Sequence, residues 1–69
     1  MYKIINMINS RTLLCFINKK KIIVSASTNA VNYYHYEKDI NRIILLSPSI
    51  VKKYTNDEIY NYIKNSKLI

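Results

Sequence analysis

Residues 11–26 read RTLLCFINKKKIIVSA. Two apolar runs rich in β-branched residues, 11–17 and 21–26, flank the polar triplet Asn18-Lys19-Lys20, which is the pattern of a β-hairpin. The chain contains no glycine. A turn that needs positive φ therefore falls to asparagine, the residue that tolerates that backbone next best. Asn18 and the pair Asn9-Ser10 are the expected turn positions. The hairpin then extends backward to a strand over 2–8 (YKIINMI), although Ile4, Ile5 and Ile8 also fit a helical stripe.

Forward of the hairpin, residues 27–32 (STNAVN) carry turn chemistry. Tyr33-Tyr34-His35-Tyr36 follows, then Glu37-Lys38-Asp39, then the apolar run from Ile40 to Leu46. Tyrosine and β-branched residues favour strands, so a second hairpin with strands 31–36 and 41–46 is the preferred reading. A helix from Ser27 or Thr28 to about residue 39 is the alternative. The last third is helical. Ser47 can cap and Pro48 can open a short helix through Lys53. Thr55-Asn56-Asp57-Glu58 is a capping box, with Thr55 as N-cap, Glu58 at N3 and Tyr54 able to staple to Ile59. Asp57 and Glu58 in the first turn, with Lys64 and Lys67 in the last, suit the helix dipole. Ile59, Tyr62, Ile63 and Ser66 share one face, which leaves Tyr60 off the stripe and exposed. Asn65 is the expected C-cap of a helix over 55–65. The fold class is α+β: a small antiparallel sheet of three to five strands, built on an N-terminal hairpin or meander, packed against a C-terminal α-helix. Residues 1–69 read as one small domain.

Residues 41–63 (NRIILLSPSIVKKYTNDEIYNYI) resemble the strand, short helix and helix start that precede the zinc helix of some metallopeptidases. The motif His-Glu-x-x-His of those families would fall on Lys64-Asn65-Ser66-Lys67-Leu68, which holds no metal ligand. No site is carried over from the resemblance.

Composition narrows the chemistry further. Without glycine there is no glycine-rich phosphate loop. One Cys and one His cannot supply a zinc site of the usual kind, and no disulfide can form within the chain. Ile, Asn, Lys and Tyr make up over half of the 69 residues. These are the residues of A/T-rich codons, which points to a virus or phage, a low-GC bacterium or an organelle. That bias explains part of the lysine and tyrosine content. It does not explain a balance of 11 Lys and Arg against 4 Asp and Glu, a net charge of +7 and a pI near 9.7. A domain this basic meets a polyanion or an acidic protein face. Cys15, inside an apolar run, reads as a buried thiol in a reducing compartment. There is no signal-peptide pattern and no apolar run of about 20 residues. An intracellular, cytoplasmic chain with no membrane partner is expected. A domain of about 60 residues buries only about 60% of its unfolded surface, so a homodimer or a complex with a larger protein would add needed stability.

Candidate contact residues follow from charge and aromaticity. Lys19, Lys20 and Lys21 occupy the hairpin tip, where they can reach phosphates. Lys52 and Lys53 end the short helix. Tyr34 and Tyr36 lie in the aromatic cluster, and Tyr60 is the off-stripe aromatic; a flat ring beside a cation can stack a base or anchor an interface. His35 and Glu37 would share a strand face with Tyr33, but a lone dyad without an oxyanion loop is poor support for catalysis. Asp57 and Glu58 are spent on the helix cap. No enzyme activity and no cofactor is expected. The first expectation is a binding protein of viral, phage or mobile-element type that inhibits or redirects a host protein or ribonucleoprotein handling nucleic acid, as anti-defence proteins such as anti-CRISPRs do. The alternative is direct, non-sequence-specific DNA or RNA binding, or a ribosome-associated role.

Overall fold

The computed structural model describes the backbone of residues 1–7 and 10–66 and the side chains of residues 1–5 and 11–66. Ile8, Asn9, Lys67, Leu68 and Ile69 lie outside the described residues, and with them the expected Asn9 turn. The elements run β1 (Tyr2–Met7), β2 (Ser10–Ile17), β3 (Lys20–Ser25), α1 (Asn29–Tyr36), β4 (Arg42–Leu45), α2 (Pro48–Lys53) and α3 (Asn56–Lys64). They form an α+β fold with a four-stranded sheet in the order β1-β2-β3-β4.

The β2–β3 hairpin is tighter than its sequence suggests. Ile17 pairs with Lys20, so the loop is only Asn18-Lys19. Both residues take positive φ, 51° and 64°. Two left-handed residues in a two-residue loop suit the right-handed twist of the flanking strands. Lys20 belongs to β3 rather than to the turn.

The segment after β3 departs from the preferred expectation. Residues 29–36 form helix α1 and not a strand. Ala30, Tyr33 and Tyr34 stand at i, i+3 and i+4, and they join one apolar cluster with Ile23, Ile40, Leu14 and Ile43. The entry to α1 is fixed by hydroxyls. The buried Ser25 side chain pairs with that of Thr12 at 2.8 Å and accepts from the Ser27 N–H at 3.0 Å. Ser27 Oγ in turn accepts from the Asn29 N–H at 3.1 Å. These local bonds bend the chain away from the strand direction. The helix then carries the chain back along the sheet, so β4 pairs with β3 parallel, Ile22 beside Arg42 and Ser25 beside Leu45. The sheet is therefore mixed: antiparallel through β1, β2 and β3, with a parallel fourth strand where a hairpin partner was expected.

Helices cover both faces. On one, Leu13, Cys15, Ile17, Ile22 and Val24 pack with Ile59 and Ile63 of α3. On the other, Ile23 packs with Ala30 of α1 and with Ile40. β2 and β3 are thus sandwiched, which is why their sequences are continuous apolar runs rather than alternating ones.

The C-terminal caps form as read. Ser47 Oγ accepts from the Ile50 N–H at 3.4 Å, with Pro48 opening α2. At α3 the Glu58 N–H donates to Thr55 Oγ1 at 3.2 Å, and the Thr55 N–H donates to Glu58 Oε1 at 3.0 Å. Arg11 secures this helix start, donating from Nη1 to Asn56 Oδ1 at 3.0 Å and from Nη2 to the Tyr54 carbonyl at 2.7 Å. The face α3 buries is a correction. Ile59 and Ile63 are buried, but Tyr60 is half-buried and Tyr62 is 70% exposed. Among the described residues no helix is long and apolar enough to cross a membrane.

Candidate polyanion-binding surface

One end of the sheet collects positive charge, and the strand registers explain why. Tyr2 lies beside Cys15, Ile17 beside Lys20, and Ile22 beside Arg42. The start of β1, the β2–β3 tip and the start of β4 therefore meet at the same end. Asn41 ties the α1–β4 loop to the tip with two bonds. Its N–H donates to the Lys21 carbonyl at 2.8 Å, and its Oδ1 accepts from the Lys21 N–H at 2.9 Å. This end thus gathers Lys19, Lys20, Lys21, Lys38 and Arg42 against two carboxylates, Glu37 and Asp39. Lys21 Nζ lies 3.7 Å from Asp39 Oδ2, and both side chains are open to water. An exposed pair of this kind contributes under about 1 kcal/mol, so it leaves the end positive. Lys19 and Lys20 are exposed.

Tyr36, the last residue of α1, adjoins the same loop and is 83% exposed. Tyr34 is only half-exposed because α1 presses it against the sheet. Its ring meets that of His35 edge-on at 5.6 Å. His35 itself is exposed near the end of α1. On a helix, positions two apart point to different sides, so the strand-face arrangement of His35 with Glu37 is not formed.

Lys52 and Lys53 lie elsewhere. α2 leaves the sheet from the Leu45 end, opposite the lysine tip, and takes Lys52 and Lys53 with it. Lys53 Nζ sits 5.6 Å from the centre of the Tyr54 ring. Tyr60 packs its ring 5.3 Å from that of Tyr2, and its hydroxyl accepts from the Met1 amino nitrogen. The structure therefore joins Lys19, Lys20, Lys21 and Tyr36 at one end and separates them from Lys52 and Lys53, while Tyr60 lies at the start of β1, half-buried against Tyr2. It adds Lys38 and Arg42, whose positions beside turns were the available signal. Tyr62 was misassigned to the core, and the helical period alone offered no signal to correct it.

Ionisation follows burial and hydrogen bonding. Burial pushes the Cys15 thiol from the ordinary 9.0 up to about 11, so it is neither a thiolate nucleophile nor a ready metal ligand at neutral pH. The Tyr2 hydroxyl donates to Asp57, which raises the phenol above its usual value. The bond from the Thr55 backbone, then that from its side chain, lowers Glu58. Among the described residues no group of three or more His, Cys, Asp and Glu is placed to hold a metal ion. What the sheet end can do chemically is attract and hold negative charge. No protein-family model, curated protein or solved structure matches this chain.

Proposed function

We propose that this chain is a non-enzymatic binding protein of the cytoplasm, of viral, phage or mobile-element type. It docks through the basic end of its sheet on a host protein or ribonucleoprotein that handles nucleic acid, and blocks or redirects it. The observation that supports this reading is the gathering of Lys19, Lys20, Lys21, Lys38 and Arg42 around one end of the sheet, with Glu37 and Asp39 in the same loop. Such a patch complements phosphates or an acidic surface evolved to resemble them.

A second reading, direct binding of single-stranded nucleic acid, is favoured by Tyr36. Its ring is almost fully open beside the cationic loop, as a stacking platform requires. A gel-shift salt series separates the two. Direct binding gives a shift at about 50 mM salt that weakens steeply as salt rises, whereas the first reading gives a stoichiometric partner that survives nuclease treatment. Replacing Lys19, Lys20 and Lys21 together by Glu abolishes either interaction. If the triple variant keeps its partner and its retention on nucleic acid, the basic end is not the contact surface.

A further inference from the structure

Strand β1 lies at the edge of the sheet, with β2 as its neighbour on one side and no strand on the other among the described residues. Its outward backbone groups can be identified. The Phe16 N–H donates to the Met1 carbonyl at 2.8 Å, and Tyr2 is registered with Cys15. Met1 and Phe16 are therefore a hydrogen-bonded pair. Such pairs alternate along an antiparallel ladder, so Lys3, Ile5 and Met7 bond to β2. Tyr2, Ile4 and Asn6 turn their N–H and C=O groups away from it. Ile4 stands at the middle of this outward set, and its side chain is 57% exposed. An exposed, apolar, unpaired edge is a template for another strand.

We propose that the occupant of this edge is a second copy of the chain, paired antiparallel about a twofold axis at Ile4. In that register Ile4 faces Ile4 of the other copy, and Tyr2 faces Asn6. Every outward backbone group of the set is bonded, as a self-complementary twofold contact requires. Ile4 is withdrawn from water. Charge decides the occupant and the direction. The chain carries +7, yet among residues 2–6 of this edge only Lys3 is charged, so a polyanion has no reason to choose it over the lysine tip. Antiparallel pairing sends the two lysine tips to opposite poles, where parallel pairing would set them side by side. Lys3 then lies opposite Ile5 of the other copy, so the two lysines are staggered and not directly opposed. The proposal does not depend on what the basic end binds.

Sedimentation of the full chain at about 100 µM, within the range where weak symmetric contacts are populated, is expected to give twice the monomer mass, falling towards monomer on dilution. Ile4→Cys places two cysteines about 5.5 Å apart at Cα, inside the range for a disulfide. It is expected to form a covalent dimer under mild oxidation about tenfold faster than Lys3→Cys, whose residue does not face itself. Cys15 is buried and stays out of the reaction. Ile4→Pro removes an N–H that β2 does not use, and an edge strand tolerates proline there, so it is expected to be monomeric with an unchanged far-ultraviolet spectrum. If Ile4→Pro fails to fold, the cysteine comparison decides alone. A monomer at about 100 µM, with equal crosslinking of the two cysteine variants, overturns the proposal.

Discussion

Lys19 holds left-handed backbone at φ 64° with a full side chain, where glycine would sit without steric cost. Lys19→Gly is therefore expected to stabilise the fold by about 0.5 kcal/mol, after the greater freedom of an unfolded glycine is offset. Urea denaturation reads this as a higher midpoint with an unchanged slope. Lys19→Val is expected to destabilise it, because a β-branched residue fits that backbone worst. Glu58 carries a pH dependence. Its carboxyl lies below the ordinary value because Thr55 bonds the charged form. A lowered folded-state value means a stabilising contribution that is complete above the ordinary 4.5 of the unfolded chain and lost as pH falls through the folded one. Glu58→Gln keeps an acceptor for the Thr55 N–H but removes this part of the acid-side loss. Thermal unfolding from about pH 6 to about pH 3 checks it. Cys15 behaves in the opposite sense. Its raised thiol stabilises the fold in full below 9.0, and that contribution fades as pH rises towards about 11. Alkylation of Cys15 at neutral pH is accordingly expected to follow unfolding, so the rate increases with urea.

The phase of α3 shows where periodicity stops deciding. Ile59 and Ile63 fix the buried direction, and at 3.6 residues per turn Tyr60 and Tyr62 lie about 80° to either side of it. Helical geometry thus weighs them equally. Neighbours break the tie: Tyr2 of β1 receives Tyr60, and Arg11 fixes the helix start through Asn56. Tyr60→Ala is expected to cost about 1–2 kcal/mol and Tyr62→Ala under about 0.5 kcal/mol, measured by chemical denaturation. In α1 the helical spacing of Ala30, Tyr33 and Tyr34 was visible in the sequence, but three tyrosines with β-branched neighbours outweighed it as strand propensity. The deciding bonds run from Ser25 to Thr12 and to Ser27, and a contact between distant strands is not written in local pattern. Ser25→Ala leaves the buried Thr12 hydroxyl and the Ser27 N–H without that partner. It is expected to cost about 1–3 kcal/mol, read as a lower unfolding midpoint with loss of helical signal from α1.

For the whole molecule, the strands 11–17 and 21–26, both C-terminal helices and their caps were legible, because each rests on neighbours in sequence. The parallel placement of β4 was not, because it depends on how α1 packs. The same holds for the candidate surface. The Lys19–Lys21 tip could be read directly, while the addition of Lys38 and Arg42 and the separation of Lys52 and Lys53 follow from the crossover. Since Asp39 pairs with Lys21 at the tip, Asp39→Asn is expected to strengthen polyanion retention severalfold at low salt, with a steeper salt dependence, in the gel-shift series. The crossover also sets an order of events. β1, β2 and β3 are neighbours in sequence and in space, so their ladders close short loops. β4 reaches β3 only after α1 has formed and packed, and the longer loop is the slower to close. Folding is accordingly expected to nucleate at the Asn18-Lys19 hairpin, with the last strand to join the first to leave. In native-state hydrogen exchange, the amides that bind β4 to β3 open at lower free energy than those that bind β2 to β3.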